Sequence, residues 1–234
     1  MQAVERTQIA YARLAGFVYL LLIVLFMGGA FLIAHIAGRG DFAATSANIL
    51  ASMHLYRGAL VLQILASILT TLLAYALYVV VRPVDTNLAQ MALCWRLGEA
   101  FVGTAFAWVS YLELGLYATG LDAAQARPWL ALAHMIDAAG FNITTLTFSF
   151  GSTIFFYLFF KSACIPRAIA GFGIFASVVV AVVSVSNLVL PEYAASLQIA
   201  WLPIFAAEIV TGFWLLFGGV RVQAAVRHDV SGMA

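Results

Sequence analysis

The sequence predicts an all-α fold: a polytopic transmembrane bundle of six helices, a single domain over residues 1–234 with both termini cytoplasmic. Three observations predict it. Of the 234 residues, 65% are hydrophobic and 9% charged, and the mean hydropathy of +1.03 lies far outside the soluble range. The apolar residues form six blocks, each longer than the roughly 20 residues that cross about 30 Å of hydrocarbon. Lys and Arg gather at alternate ends of these blocks, the bias that orients membrane helices.

The first span covers about 13–36 and ends at Gly38-Arg39-Gly40-Asp41. It is too long for a signal-peptide core and reads as a retained helix. The second, about 53–81, closes at Arg82-Pro83, and Asp85 to Asn87 start the third, about 88–118. The polar stretch Gly120 to Pro128 reads as a loop, with Pro128 suited to the first turn of the fourth span, about 129–160. Gly140 and Gly151 are the cheapest places for a bend in that span. Ile165-Pro166-Arg167 leads into the fifth, about 168–190, and Pro191-Glu192-Tyr193 separates it from the sixth, about 199–220. The third and fourth spans exceed one crossing, so they should tilt, extend beyond the membrane or break. Tyr11, Tyr19, Trp129, Tyr193 and Trp201 read as aromatic anchors at the interfaces. Asn187 reads as a helix–helix hydrogen-bonding residue.

With the termini inside, the cytoplasmic ends hold Arg6, Arg13, Arg82, Lys161, Arg167, Arg221 and Arg227, against Arg39 and Arg127 outside. Arg221, Arg227 and His228 form a patch that can touch anionic lipid, and membrane lipids are the expected partners. A net charge of +1 offers no basic face for nucleic acid. Cys94 and Cys164 cannot make a disulfide framework and read as reduced thiols.

The charges inside the spans are the candidate site. A charged side chain at mid-membrane costs roughly 2.5–3.5 kcal/mol on insertion scales, so its presence needs a reason. Arg96 and Glu99 lie one helical turn apart near the middle of the third span, and Glu208 lies at a similar depth in the sixth. Arg57, His134 and Asp137 lie nearer the outer edge, with Glu113 near the outer end of the third span. At 100° per residue Glu99, Phe106 and Glu113 share a face with Gly103 beside them. His134, Asp137 and Phe141 share another, continued by Thr145 and Ser152. On the second span His54, Arg57 and Ile64 form a stripe extended by Thr71 and Tyr75. Lipid offers these groups no partners, so the stripes should face the bundle interior as a polar seam open outward.

Each charge admits two readings. Arg96–Glu99 serves equally as an i,i+3 pair fastening the bundle or as part of a ligand site, with Arg57, Glu113 and Glu208 as further ligand contacts. His134–Asp137 offers acid–base chemistry, and with His54, Glu113 or Glu208 these groups could ligate a metal. No diagnostic metal spacing or nucleotide loop is present, and no cofactor is named.

The chain resembles a family of bacterial integral membrane proteins known only as domain of unknown function 4386. The matching pieces are Ala12-Arg13-Leu14-Ala15-Gly16 with Tyr19-Leu20-Leu21, Ala47-Asn48-Ile49-Leu50-Ala51, and Leu77-Tyr78 through Arg82-Pro83-Val84 to Asn87-Leu88-Ala89. They continue with Arg96-Leu97-Gly98-Glu99, Pro166-Arg167-Ala168-Ile169-Ala170-Gly171, Pro191-Glu192-Tyr193, Ala207-Glu208 and Gly218-Gly219-Val220-Arg221-Val222. The resemblance implies a bundle in a bacterial inner membrane and brings no activity, substrate or catalytic residues. The leading expectation is therefore a protein that binds a small amphipathic or lipid-like ligand in an outward-facing polar pocket, in sensing or transport. The alternatives are an intramembrane hydrolase using His134 and Asp137, and an accessory or structural subunit.

Overall fold

Three aspartates set where helices begin. Asp41 accepts a hydrogen bond from the Ala44 backbone N–H at 2.9 Å, Asp85 from Leu88 at 3.1 Å, and Asp122 from Gln125 at 2.9 Å. Each satisfies one of the amides a helix start leaves orphaned. The computed structural model describes residues 2–221, and Val222, Arg227 and His228 lie outside them. Its α-helices are α1 (Gln2–Ala37), α2 (Phe42–Ala51), α3 (Met53–Val81), α4 (Thr86–Ala118), α5 (Ala123–Ser162), α6 (Arg167–Val189) and α7 (Leu202–Phe213). Short 3-10 turns at Pro191–Tyr193 and Gln198–Trp201 precede α7, and a π-helical turn at Trp214–Gly218 extends it.

Helices overlap each of the expected spans among the described residues, with three local differences. The Asp41 cap starts α2, a short helix where only a loop is expected. Asp122 and the Gln125 side chain form a reciprocal capping box, so α5 starts at Ala123 inside the expected loop. Pro128 consequently sits in the second turn of α5, not the first. Gly140 and Gly151 do not break α5, which is one helix throughout. They are places of close approach: a Cβ on Gly140 would collide with the Phe106 ring, and one on Gly151 would stand 2.8 Å from Arg96 Cγ.

Among the described residues, five helical segments are long and apolar enough to cross a membrane: α1 from Glu5, α3, α5, α6, and Gln198–Gly218. The chain is a multi-pass helical membrane protein. The 33-residue α4 is not among the five; it carries Arg96, Glu99 and Glu113 and packs between α3 and α5.

Each long helix packs on its neighbour in sequence, and α7 returns to α1, closing a ring. Closure depends on Gly16, where a Cβ would stand 2.6 Å from the Gly212 carbonyl oxygen. The helices alternate in direction. At one end Gln8 Nε2 donates to the Val80 carbonyl at 3.3 Å, Lys161 lies 3.7 Å from Asp85, and the Arg221 amide donates to the Cys164 carbonyl at 3.0 Å. The described chain thus begins and ends at the same end of the bundle. At the other end Ser46 Oγ of α2 donates to the Tyr117 carbonyl at 2.8 Å, and Ile36, Ile49, Tyr56 and Leu114 form a local apolar cluster. Between α5 and α6, Asn187 Nδ2 donates to Asn142 Oδ1 at 3.1 Å, and the Thr145 and Ser184 hydroxyls meet at 2.8 Å. Both cysteines are free; Cys164 is buried in the α5–α6 turn.

Candidate functional site

Five helices, α1, α3, α4, α5 and α7, enclose a cavity of about 680 Å³, within the roughly 300–1,000 Å³ range of small-molecule sites. Its lining runs along α4 from Arg96 to Ser110, about 21 Å at 1.5 Å per residue. The space is therefore long and parallel to the helices. Its walls are mainly apolar, with Leu22, Phe26, Ile64, Phe106 and Phe205 among them. Trp201 and Asp137 lie toward the end where α1 and α4 finish, and Arg96, Glu208 and Tyr19 form the floor at the other extreme.

The floor is polar. Arg96 is only 2% exposed, and its Nη1 lies 2.9 Å from Glu99 Oε2 and donates to Ser152 Oγ at 3.4 Å. The guanidinium carbon sits 4.7 Å from the Phe148 ring centroid, cation-π geometry. Its Nε is buried with no hydrogen-bond partner among the described residues. Gly151 leaves room for this side chain beside α5. Glu208 of α7 lies within electrostatic reach of Arg96, yet no hydrogen bond or ion pair holds its carboxylate among the described residues. Tyr19 completes the floor. It is 3% exposed, lines the cavity, and is in electrostatic reach of Glu208, Arg96 and Glu99, while its hydroxyl has no hydrogen-bond partner among the described residues.

The residues singled out in the sequence divide into two groups. Arg96, Glu99 and Glu208 meet at the floor, and Asp137 lines the same cavity farther along. His134 and Glu113 line none of it; they pair with each other, Nε2 to Oε1, at 3.6 Å, and His134 is 64% exposed. The imidazole is therefore directed to Glu113, not to Asp137 one turn away. Arg57 is exposed and stands outside the cavity. The α3 stripe is rotated from the expected one: Gln63, Ser67 and Thr70 join Ile64 on the cavity wall, while His54, Thr71 and Tyr75 do not. Thr71 Oγ1 donates to the Ile68 carbonyl of its own helix at 2.7 Å, and Tyr75 packs edge-on to Tyr11 at 5.9 Å. Neither needs the interior. Among the described residues no group of three His, Cys, Asp or Glu side chains is placed to hold a metal ion.

Two of the aromatic residues expected at the interfaces line the cavity, Tyr19 buried at its floor and Trp201 near its far end, where Trp201 packs 5.3 Å from Phe141. For Tyr19 the signal was depth. It lies six residues, about 9 Å, inside the first span, too deep for a residue whose hydroxyl needs the headgroup region.

At the opposite end, Arg167 and Arg221 line a separate pocket around the α5–α6 turn. Burial raises the Cys164 thiol pKa there, against a lowering contribution from the Ser162 hydroxyl.

A closed helical ring in a membrane chain, with charge concentrated at one end of an apolar central cavity, defines the class: a multi-pass helical membrane protein. The family model described as Domain of unknown function (DUF4386) matches residues 14–219. The chain belongs to that family. No curated protein and no solved structure matches it.

Proposed function

We propose that this protein binds a small amphipathic, lipid-like molecule in its central cavity, as a sensor or transporter in the bacterial inner membrane. One observation carries the reading: a long cavity with apolar walls and a floor of Tyr19, Arg96, Glu99 and Glu208. Apolar walls reward burial of a tail by about 25 cal/mol per Å². Polar groups left unpartnered at one end reward a head that supplies the missing bonds. A molecule with both parts matches the arrangement end to end.

In this reading α4 is the sixth crossing, its charges shielded by the ring. Arg6, Arg13, Arg82, Lys161, Arg167 and Arg221 face the cytoplasm under the positive-inside rule. The cavity then extends from mid-membrane toward the outer face, as an outward-facing pocket requires. Membrane lipids surround the ring and are a source of ligand.

The test is native mass spectrometry of the full chain released from nanodiscs, wild type against Ala107→Trp, which fills the cavity from α4. The expected result is a small amphipathic molecule retained by the wild type and absent from the variant. Equal complements in two folded proteins would overturn the proposal.

A further inference from the structure

Building on the reading of the cavity as an amphiphile site, we infer that the ligand's head is an organic cation, with Glu208 as its counter-ion. Charge arithmetic at the floor comes first. Arg96 and Glu99 neutralise each other at 2.9 Å, and Arg96 Nη1 is further committed to Ser152. Glu208 is left with no ion pair or hydrogen bond among the described residues. Arg96 lies within electrostatic reach but is paired to Glu99, so a carboxylate held by no direct ion pair in apolar surroundings stays costly, and an incoming cation lowers that cost where an anion would add to it.

The second observation is independent of the carboxylates. Tyr19 is only 3% exposed, and its hydroxyl has no hydrogen-bond partner among the described residues while the residue lines the cavity. A phenol oxygen accepts from an ammonium, and the ring presents a negative face to any cation beside it. The third is a precedent within the floor: Phe148 already holds the Arg96 guanidinium 4.7 Å from its centroid. Phe106, Phe205 and Trp201 line the remaining walls. A cavity lined in part by aromatic side chains, with one carboxylate held by no ion pair among the described residues, favours a hydrophobic ammonium over its neutral or anionic counterpart.

Equilibrium dialysis with the full chain in phosphatidylglycerol nanodiscs tests this, using octylammonium, octan-1-ol and octyl sulfate, with empty discs subtracted. The expected result is saturable binding of the cation, abolished by Ala107→Trp and weakened about 10- to 100-fold by Glu208→Gln, the size of a hydrogen bond to a charged group. Glu208→Asp should retain most of the affinity. If octyl sulfate or octanol binds as tightly as the cation and Ala107→Trp abolishes it, the cavity takes an amphiphile but the cationic head is wrong. If none of the three binds, this inference falls; the mass-spectrometric comparison separately decides the parent reading. Unchanged cation affinity in a folded Glu208→Gln protein overturns the inference as well. Should that variant fail to fold, the wild-type preference among the three heads decides. Repeating the cation titration in discs containing phosphatidylethanolamine separates the sources: competition points to a lipid amine headgroup, and unchanged affinity to a free cation.

Discussion

Arg96 is the most demanding residue in the chain, a guanidinium 2% exposed and seated against α5. Its tolerance rests on Glu99 and on the missing side chain at Gly151. Breaking a buried ion pair by removing one partner costs about 3–5 kcal/mol, whereas removing both is often nearly neutral. Arg96→Met should therefore lower thermal stability sharply, and Arg96→Met combined with Glu99→Leu should recover most of the loss; melting curves in detergent check the pattern. Gly151→Val should cost about 1–3 kcal/mol by overpacking, because the new Cβ would stand 2.8 Å from Arg96 Cγ. Ser152→Ala removes only a 3.4 Å hydrogen bond and should cost no more than about 1 kcal/mol.

At the scale of elements, α5 and α6 are joined by an amide pair and a hydroxyl pair instead of apolar contact alone. Interhelical hydrogen bonds in membranes average about 0.6 kcal/mol and reach about 1.7. A double-mutant cycle on Asn142→Ala and Asn187→Ala should return a coupling in that range. The turn between these helices makes a chemical prediction. The reactive form of a cysteine is its thiolate, and burial raises the Cys164 pKa, so less thiolate is present at a given pH than in a free cysteine. Alkylation of Cys164 in a Cys94→Ala background should be slow at pH 8, with its pH profile displaced upward, and should return to the ordinary rate in denaturant. Mass spectrometry of the modified protein gives the rate.

Helix positions were legible because each rests on local signals: long apolar runs for the spans, and Asp85 as the cap that starts α4. The boundary at Ala123 escaped because a polar run reads as a loop until Asp122 and Gln125 are recognised as a reciprocal pair. The site was legible in part. Helical phase puts Glu99 and Phe106 on one face of α4, and both line the cavity. Phase could not show that Arg57 stays outside or that His134 turns to Glu113, since these depend on which helices are neighbours. Tyr19 was hidden because tyrosine is common at interfaces, and only its depth argued otherwise.

Across the whole molecule, the distribution of basic residues predicts sidedness. In a cysteine-free background, single cysteines at Gly40 and Gly120 should react with an impermeant maleimide added to intact cells, and one at Val84 only after lysis; the reverse pattern would overturn the orientation.

The meeting of α1 and α7 at Gly16 and Gly212 has a consequence for biosynthesis. Tyr19 is made well before Glu208, so the last wall of the cavity cannot form until α7 has left the ribosome. Until then Arg96 and its neighbours stand in an unclosed arc, facing lipid or an insertion chaperone. A nascent chain stalled before α7 should be held by the insertion machinery or cleared by membrane proteases, making completion of the ring a checkpoint in the life of the protein.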